Sequence, residues 1–546
     1  MKIALCQIDP IVGDIKGNAA IILDYYAKAK KKGAELCVFP ELALTGYPPM
    51  DLIDRKDFVD DALNAISTKI APKVKGCGLL MGSINHNLKD GKRYFNSAFF
   101  IDDGRIVSVI NKQLLPTYDL FDEMRYYQDG DVSSPVYYKG LRLGIHICED
   151  MWRNESPYSQ KLYENDPVDK LGEQGVDIFL NISASPFSRG KDAKRKSIMS
   201  KYAKKWNVPF VMVNTVGAND SAVFDGRSSL ISRKGEVLAE AKAFEEDLMI
   251  IDTEKDLKAI KVSQHSDVET VYSALVLGLR DYVRKNGLKN IVVGISGGID
   301  SALCSVIASD AIGPKNVTCV TMPTRFSSKG SVTHSQELCK NLGTKFIKLS
   351  IEDIFSDFSA GLKKGFGKMP SDIALENIQP RIRGTALMAY TNSMPGTILI
   401  APGNKSEIAV GYCTLYGDTC GALAVIGDVY KTEVYELAKF INRKKVIIPK
   451  SIIDKEPSAE LRHDQYDTDS LPPYEVLDEI LRLYIEGQFS PKEIYKKVSA
   501  KKELVDKVID IVIKSEFKRR QLPPVIKVSS KAFVLDRRWP VVHKFR

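Results

Sequence analysis

The sequence lacks several features by which classes of protein are assigned. No apolar run approaches the ~20 residues that cross a bilayer, so we expect no membrane partner. The first residues, MKIALCQIDP, lack the charged region, the long apolar region and the small-residue cleavage site of a secretory signal. We therefore expect a cytoplasmic protein. The nine cysteines include no C-x-x-C pair, which argues against a disulfide framework and against a zinc ribbon.

Histidine is scarce, and positive charge is only slightly in excess. The chain has six histidines and a formal net charge of +9 over 546 residues. The excess is spread thinly, and the basic runs at 28–32 and 191–196 are typical of solvated helix faces. We therefore expect no nucleic-acid partner.

The length favours two large domains, because a single core rarely grows beyond about 250–300 residues. In residues 1–255 short apolar strands alternate with helical stretches, which indicates a two-sheet α/β domain. Residues 256–268 carry no strong periodicity and are predicted to be a linker. Buried-type strands in residues 269–546 predict a doubly wound parallel sheet, followed by a helical segment at 473–520 and a basic, irregular tail. The predicted strands are KIALCQ, ELCVFP, GLLMGSI, SAFFID, LRLGIHI, VDIFLNIS, PFVMVNTVG and DLMIIDTE, then IVVGIS, NVTCVTMP, KFIKLS and TILIAP.

Three strand ends in the first half carry groups suited to attack on a carboxamide. Cys148 follows the strand LRLGIHI, where a strand-to-turn junction would expose a nucleophile. Glu41 follows the strand CVFP, and Lys112 begins a loop. Within the strings FPEL, NKQLLP and ICED, these residues resemble the Glu-Lys-Cys triad of the nitrilase superfamily. The resemblance covers residues 1–255 and implies an α-β-β-α sandwich.

Thiolate attack needs a base that takes the thiol proton and returns it to the departing ammonia, and we assign this role to Glu41. Lys112 and the backbone N–H after Cys148 would stabilise the oxyanion by about 3–4 kcal/mol per donor. A protonated Lys112 would also favour the thiolate. The resemblance to glutamine-hydrolysing members implies four residues around glutamine, and these are Tyr118, Glu123, Ser185 and Lys191. Glu123, in the string FDEMRYY, resembles the additional glutamate that many members of the superfamily have beside the triad, and a surface glutamate is the alternative.

A glycine-rich turn in the second half lies between a strand and a helix, in IVVGISGGIDSALCSVIA. Backbone N–H groups and the helix dipole bind phosphate at such a turn. The Walker A pattern and the dinucleotide fingerprint G-x-G-x-x-G are both missing. The string SGGIDS instead resembles the SGGxDS loop of the ATP pyrophosphatases, which have Rossmann-like sheets and adenylate a carbonyl or carboxylate oxygen. The ATP-binding residues that this implies are Gly294, Ile295, Ser296, Gly297, Gly298, Ile299, Asp300 and Ser301.

Later strings narrow the choice of substrate. ENIQPRIRG, GNKSEIAVGYCTLYGD, GDVYKTEVYELA and KEPSAEL together resemble the NAD synthetases. The resemblance implies Mg²⁺ on Asp300 and Glu407, because Mg²⁺ prefers carboxylate and phosphate oxygens. It also implies further ATP contacts by Pro402, Lys431 and Ser458, and deamido-NAD contacts by Asn377, Arg381, Glu407 and Lys518. Pro402 departs from a threonine that the family often has, and it offers neither a hydroxyl nor an N–H.

The two resemblances together predict one reaction. Deamido-NAD, ATP, glutamine and water would give NAD, AMP, pyrophosphate and glutamate, through an adenylate and a Cys148 thioester. ATP would be a co-substrate and Mg²⁺ the cofactor. We expect a homo-oligomer, as a dimer of synthetase domains or a larger assembly, because the resemblance implies it.

Three rival hypotheses remain at this point. Another glutamine-dependent amidotransferase, such as a GMP synthetase, would need a Cys-His-Glu glutaminase, and the six histidines offer no such partner. A tRNA-modifying enzyme would need a basic binding module and often paired cysteines. One half could also be inactive and serve as a scaffold, which the intact triad and loop argue against.

Overall fold

The chain folds into two units in the computed structural model, which describes residues 1–153, 162–253, 258–260 and 266–545. The first unit spans Met1–His265 and the second spans Ser266–Arg546. The predicted boundary at residue 255 and most of the predicted linker, 256–268, lie outside the described residues. Within the described ranges, no helix combines the length and apolar content needed to cross a membrane.

Two sheets form the centre of the first unit. Its strands are β1 (Lys2–Gln7), β2 (Leu36–Val38), β3 (Gly78–His86), β4 (Tyr94–Asp102), β5 (Arg105–Asn111), β6 (Val136–Tyr138), β7 (Leu141–Ile147), β8 (Ile178–Ser183), β9 (Phe210–Asn214), β10 (Val216–Asn219), β11 (Ala222–Asp225), β12 (Ser229–Ile231), β13 (Val237–Glu240) and β14 (Asp247–Asp252). Its helices are α1 (Ile15–Lys31), α2 (Lys56–Ala65), α3 (Glu123–Tyr126), α4 (Pro167–Glu173) and α5 (Lys191–Trp206).

The first sheet has the order β14-β1-β2-β3-β4-β5, and the second has the order β13-β12-β9-β8-β7-β6. Both faces of β1 are buried, because successive side chains of a strand point to opposite faces. Leu5 belongs to the apolar core that joins the two sheets, together with Ile145 of β7. Ala4 packs instead in the core that contains Ile22 of α1.

On the outer side of the second sheet, Met199 of α5 and Leu171 of α4 pack in one core with Phe179 of β8. Helices therefore cover the outer face of each sheet. This arrangement confirms the predicted α-β-β-α sandwich.

A single parallel sheet forms the centre of the second unit. Its strands are β15 (Asn290–Gly294), β16 (Val317–Thr321), β17 (Lys345–Lys348), β18 (Thr397–Ala401) and β19 (Leu423–Ala424). Its helices are α6 (Asp267–Lys285), α7 (Ile299–Ile312), α8 (Lys329–Leu342), α9 (Glu352–Phe366), α10 (Asp372–Asn392), α11 (Lys405–Val410), α12 (Lys431–Ile441), α13 (Lys450–Ile453), α14 (Tyr474–Leu481), α15 (Pro491–Ile494), α16 (Lys502–Lys514) and α17 (Glu516–Arg519).

The strand order in the second unit is β17-β16-β15-β18-β19, and each neighbouring pair is parallel. The order reverses next to β15, which makes the carboxyl end of β15 the switch point at which such sheets bind ligands. The predicted doubly wound fold is confirmed. The helices α14 to α17 lie in the segment that was predicted to be helical.

Candidate active sites

Four strand ends supply the candidate site of the first unit. Glu41 lies three residues beyond β2, and Lys112 directly follows β5, both in the first sheet. Cys148 directly follows β7, and Ala184 directly follows β8, both in the second sheet. The site is thus built from strand ends of both packed sheets.

Lys112 and Glu41 form a buried ion pair. The Nζ atom of Lys112 donates to Glu41 Oε1 and to Glu123 Oε1, each at 2.7 Å. Asn96 Nδ2 also donates to Glu41 Oε1 at 2.7 Å, and the Ala184 backbone N–H donates to Glu41 Oε2 at 2.8 Å. Both carboxylate oxygens of Glu41 are therefore fixed by hydrogen bonds.

Glu123 lies inside this network and not on the surface. It is 4% exposed and accepts a hydrogen bond from Tyr47 Oη at 2.8 Å in addition to that from Lys112. Burial alone would lower the pKa of Lys112, but the charges of Glu123 and Glu41 outweigh it and raise that pKa well above its ordinary value. Lys112 is consequently an ammonium ion, held by two carboxyl groups.

Glycine is required beneath Glu41 because β3 passes very close to it. A Cβ atom on Gly82 would lie 2.2 Å from the Leu42 backbone N and 2.7 Å from Glu41 Cα. Real Cβ atoms do not approach backbone atoms so closely. A side chain at this position would displace the candidate base.

Cys148 begins a short helical turn, Cys148–Met151, and has a φ of 41°, which side-chain-bearing residues rarely adopt. It is 4% exposed, so the expectation of an exposed nucleophile is wrong: the thiol belongs to the core between the sheets. Burial raises the pKa of Cys148 well above its usual value, the charge of Glu41 raises it further, and Lys112 opposes both. The resting group is a neutral thiol that needs a base.

Asp150 connects the Cys148 turn to the loop after Lys112. Its Oδ2 atom accepts from the Ile147 N–H at 2.9 Å, which closes the turn on itself. Its Oδ1 atom accepts from the backbone N–H groups of Leu114, at 2.9 Å, and Gln113, at 3.0 Å. One buried carboxylate thereby fixes the turn of the thiol relative to the loop of the lysine.

The residues predicted to hold glutamine surround this turn. Tyr118 Oη donates to the two carboxylate oxygens of Glu149 at 2.8 and 3.0 Å. The backbone N–H of Ser185 donates to Asn214 Oδ1 at 2.9 Å, and Ser185 is buried. Lys191 begins α5, and burial lowers its pKa.

The ammonium of Lys191 lies over two aromatic rings, and its interactions reach the thiol. Its Nζ atom is 5.5 Å from the centroid of Phe121 and 5.6 Å from that of Trp152. Burial lowers its pKa, and the charge of Asp119 and, to smaller extents, those of Cys148 and Glu149 oppose this shift. Trp152 directly follows the Cys148–Met151 turn, so Lys191 lies beside the turn that carries the thiol.

The second unit has a cavity of about 440 Å³ at the carboxyl end of its sheet. The predicted residues that line it are Gly294, Ile295, Ser296, Gly298, Ile299, Asp300, Ser301, Asn377, Pro402, Glu407, Lys431, Ser458 and Lys518. The apolar strand β15 leads into the glycine-rich loop, and α7 starts directly after it at Ile299. The N-terminus of α7 therefore faces this space, as phosphate binding requires.

Internal hydrogen bonds shape the glycine-rich loop. Ser301 Oγ accepts from the Ser296 N–H at 3.3 Å and donates to the Gly298 carbonyl at 3.1 Å. Gly297 has a φ of 77°, and a Cβ atom there would lie 2.6 Å from backbone atoms of Ser331 in α8. Gly297 does not line the cavity itself, but it allows α8 to pack against the loop.

Asp300, Lys431 and Glu407 form a charged cluster in the cavity wall. Lys431 Nζ lies 2.5 Å from Asp300 Oδ2 and 3.5 Å from Glu407 Oε1. Asn404 donates to Asp300 Oδ1 at 2.9 Å and caps α11 by accepting from the Glu407 N–H at 3.0 Å. Burial, together with the charge of Asp300, raises the pKa of Glu407 to about 8. Lys431 already reduces the repulsion between Asp300 and Glu407, and a metal ion bound by the two carboxyl groups would reduce it further.

These two carboxyl groups fit Mg²⁺ as two of its ligands. Within the described ranges, no cluster of three or more acidic, histidine or cysteine side chains could hold a metal ion. Mg²⁺ is commonly bound by one or two carboxylates, and substrate phosphates and water complete its shell. Asp300 and Glu407 offer such a pair of carboxylates.

Residues of α10 that line the cavity recur with helical spacing, and they include Asn377, Pro380, Arg383 and Leu387. Arg381 is not one of the lining residues: it is exposed, and its Nε atom donates to the Leu415 carbonyl at 3.2 Å. Arg383 was not predicted, although the three-to-four-residue spacing from Pro380 and Asn377 could have indicated it. Burial lowers the pKa of Arg383 to about 10, which still leaves a cation in the cavity wall.

Sequence reasoning also missed the pair Lys455 and Glu460, which line the cavity beside the predicted Ser458. Lys455 Nζ donates to Glu460 Oε1 at 2.7 Å and to Ser331 Oγ at 2.6 Å. Ser458 Oγ donates to the Gln465 carbonyl at 2.5 Å. The hydroxyl of Ser458 thus helps to shape the loop, while the ammonium of Lys455 adds a cation to the wall.

Known proteins match the chain over its full length. The carbon-nitrogen hydrolase family profile matches residues 2–261, and the NAD synthase profile matches residues 271–523. The glutamine-dependent NAD(+) synthetase of Synechocystis sp. is 42% identical over 555 residues, which cover 100% of this chain and 99% of that relative. The enzyme of the same description from Thermotoga maritima is 39% identical over 587 residues, with coverage of 100% and 99%.

A solved structure has the same fold along the whole chain. It is the glutamine-dependent NAD+ synthetase from Acinetobacter baumannii in complex with adenosine diphosphate, with a TM-score of 0.78 and 38% sequence identity. The match covers 99% of this chain and 98% of that one.

Proposed function

The chain belongs to the glutamine-dependent NAD(+) synthetases, and from this we propose how its residues carry out the reaction. The enzyme amidates deamido-NAD to NAD with ATP as co-substrate and with ammonia released from glutamine. The observation that supports the residue roles most directly is the buried Lys112–Glu41 pair acting on the Cys148 thiol.

In the first unit, Cys148 Sγ attacks the carboxamide carbon of glutamine while Glu41 takes the thiol proton. The C–N bond then breaks, Glu41 gives the proton to the departing ammonia, and a thioester remains. Water attacks the thioester carbonyl, Glu41 takes its proton and returns it to the cysteine thiolate, and glutamate leaves. The raised pKa of Cys148 supports this order, because a neutral thiol cannot attack without a base.

Lys112 stabilises the oxyanion of the tetrahedral intermediate, together with the backbone N–H after Cys148. Its ammonium is already held by Glu41 and Glu123 at 2.7 Å, so little reorganisation is needed during the reaction. Glu123 thereby acts on glutamine hydrolysis through Lys112. Tyr118, Ser185 and Lys191 hold the amino-acid end of glutamine.

In the second unit, the loop of residues 294–301 holds the phosphates of ATP, and Pro402 and Ser458 lie in the same cavity. A carboxylate oxygen of deamido-NAD attacks the α-phosphorus of ATP, and pyrophosphate leaves. Ammonia then attacks the adenylate carbonyl, and AMP leaves. Asp300 and Glu407 would hold Mg²⁺, which would supply positive charge to the phosphate oxygens.

Further contacts follow from the lining of the cavity. Lys431, which pairs with Asp300, would be available to contact the phosphates with Mg²⁺ bound to that carboxylate. Asn377, Glu407 and Lys518 contact deamido-NAD, and exposed Arg381 on the same helix as Asn377 is a contact for the part of the substrate outside the cavity.

We also propose a cytoplasmic location and a homo-oligomer, either a dimer through the synthetase unit or a larger assembly. All nine cysteines are free thiols, which suits a reducing compartment. Sedimentation of the purified protein measures the assembly.

Covalent labelling tests the role of Cys148. A glutamine analogue with a diazoketone in place of the carboxamide should alkylate one cysteine, and peptide mapping should locate the label on Cys148. Labelled enzyme should lose glutamine-dependent NAD formation and keep ammonium-dependent NAD formation. A label on any of the other eight cysteines, with the same loss of activity, would refute the assignment.

A further inference from the structure

Arg383 of α10 lines the cavity of the second unit, and the mechanism above gives it no role. Its Nε atom donates to the carbonyl of Met322, the residue after β16, at 3.0 Å. A guanidinium group has five N–H donors. In the part of the chain that the structure describes, neither terminal nitrogen of Arg383 makes a hydrogen bond or an ion pair. Four N–H groups are therefore available to a ligand in the cavity.

Among the described residues, no carboxylate pairs with this guanidinium group. Burial lowers the pKa of Arg383 to about 10, and the charge of Glu460 opposes this shift. Glu460 is already engaged, because its Oε1 atom accepts from Lys455 Nζ at 2.7 Å and from Ser331 Oγ at 2.8 Å. A buried cation without a paired anion is unfavourable. An anion in the cavity would remove this penalty, and the planar guanidinium fork suits a phosphate or a carboxylate.

Anchoring α10 to the sheet does not require these free donors. The hydrogen bond from Nε already joins Arg383 to the end of β16. Leu387, one turn further along α10, packs in a core with Val292 of β15 and Val320 of β16. These contacts use Nε and apolar side chains, and they leave the two terminal nitrogens for the cavity.

Arg383 and the proposed metal ligands lie on opposite sides of the glycine-rich loop. Met322 follows β16, whereas Glu407 belongs to α11, which follows β18. The strand that leads into the loop, β15, lies between β16 and β18 in the sheet. The metal ligands and the N-terminus of α7 serve the pyrophosphate end of ATP. The α-phosphate, which joins this end to adenosine, is then left for the cation on the β16 side.

We propose that Arg383 binds the α-phosphate of ATP and is a catalytic residue of the adenylation step. The proposal rests on the proposed function of the cavity. As a carboxylate oxygen of deamido-NAD bonds to the α-phosphorus and the bond to the departing pyrophosphate breaks, negative charge develops on the other α-phosphate oxygens. The N–H donors of Arg383 stabilise this charge. The adenylate and AMP retain the same phosphate, so Arg383 holds them as well.

Two ligands that differ by one phosphate test this role. AMP carries the α-phosphate, and adenosine is the same molecule without it. We expect Arg383→Met to weaken the binding of AMP to the full chain by about 10- to 100-fold, the effect of charged hydrogen bonds. Binding of adenosine should change by less than about threefold on the same scale. Titration calorimetry measures both affinities.

Arg383→Lys serves as the second variant, because loss of the charge can also disturb folding. It keeps the charge but not the fork, so its affinity for AMP should lie between those of wild type and Arg383→Met. Arg55→Met is the control, since Arg55 is an exposed arginine that pairs with exposed Asp57 in the first unit. This control should bind AMP and adenosine as wild type does.

Three results would overturn the proposal in a variant that retains the wild-type melting temperature. These are an unchanged affinity for AMP, equal losses for AMP and adenosine, and a loss for inorganic pyrophosphate with the affinity for AMP retained. The last result would place Arg383 on the leaving group. Failure of the proposed function looks different, because the wild-type protein would then bind neither ATP nor AMP.

Discussion

At the Lys112 ammonium, three buried charged side chains are held together by two hydrogen bonds of 2.7 Å. Removing the cation leaves two carboxyl groups facing each other in the core, so the effect extends beyond catalysis. We predict that Lys112→Met lowers glutamine hydrolysis by about 10²- to 10³-fold through loss of the oxyanion donor. It should also lower the free energy of unfolding by about 3–5 kcal/mol, because a buried charge loses its partner.

Glutaminase assays and urea unfolding check both effects. Lys89→Met is the control, since Lys89 is exposed and pairs with exposed Asp131 at 3.1 Å. A surface pair contributes about 0–1 kcal/mol, so this variant should match wild type in both measurements. Full glutaminase activity in Lys112→Met would contradict the role of Lys112.

The candidate catalytic residues of the first unit, Glu41, Lys112 and Cys148, could be proposed from the sequence because each follows a strand in a characteristic string. Their burial could not be predicted, since it depends on the packing of one sheet on the other. The resemblance had Glu123 beside the triad, and Glu123 accepts a hydrogen bond from Lys112 at 2.7 Å. Arg383 was missed although its spacing from Pro380 indicates it, because Arg381 lies four residues after Asn377 and fits a helical face equally well.

At the scale of elements, the glycine-rich loop depends on its fit against α8. Gly297→Ala should lower ATP-dependent NAD formation strongly, because its Cβ would lie 2.6 Å from the Ser331 backbone and the φ of 77° is strained for alanine. Glutamine hydrolysis by the same protein should be retained if the two units carry out separate chemistry. ATP dependence of NAD formation with ammonium as nitrogen source measures the effect.

Gly343→Ala separates backbone strain from steric collision. Gly343 ends α8 with a φ of 78°, and nothing lies within 4 Å of its added Cβ. This control should cost about 1–2 kcal/mol of stability through strain alone and leave KM for ATP unchanged. A similar loss of ATP use in both variants would show that collision with α8 is not the cause.

The parallel sheet and most of the long strands could be predicted because their apolar runs have clear periodicity. The seven-residue strand β5 was not predicted, and most of its residues are exposed. The short strands β6, β12 and β19 could not, because two or three residues are too few to show a period. Their positions are fixed by pairing with neighbours, as β19 pairs with β18 through Leu423 and Ala424 only.

At the scale of the whole molecule, two units with different folds carry two different constellations of residues. The sequence predicted this division because the strand patterns differ on either side of residues 256–268 and each half carries its own motifs. Assembly of the chain could not be derived from composition or charge, since no local pattern encodes it.

The division of labour is tested most directly by one assay of NAD formation. Purified Cys148→Ala is supplied with deamido-NAD, ATP and Mg²⁺, and with either glutamine or ammonium chloride as nitrogen source. We predict loss of NAD formation with glutamine and retention with ammonium, because the substitution removes only the thiol of the first unit. Wild-type activity with glutamine, or no NAD from ammonium in a folded variant, would contradict two separable sites.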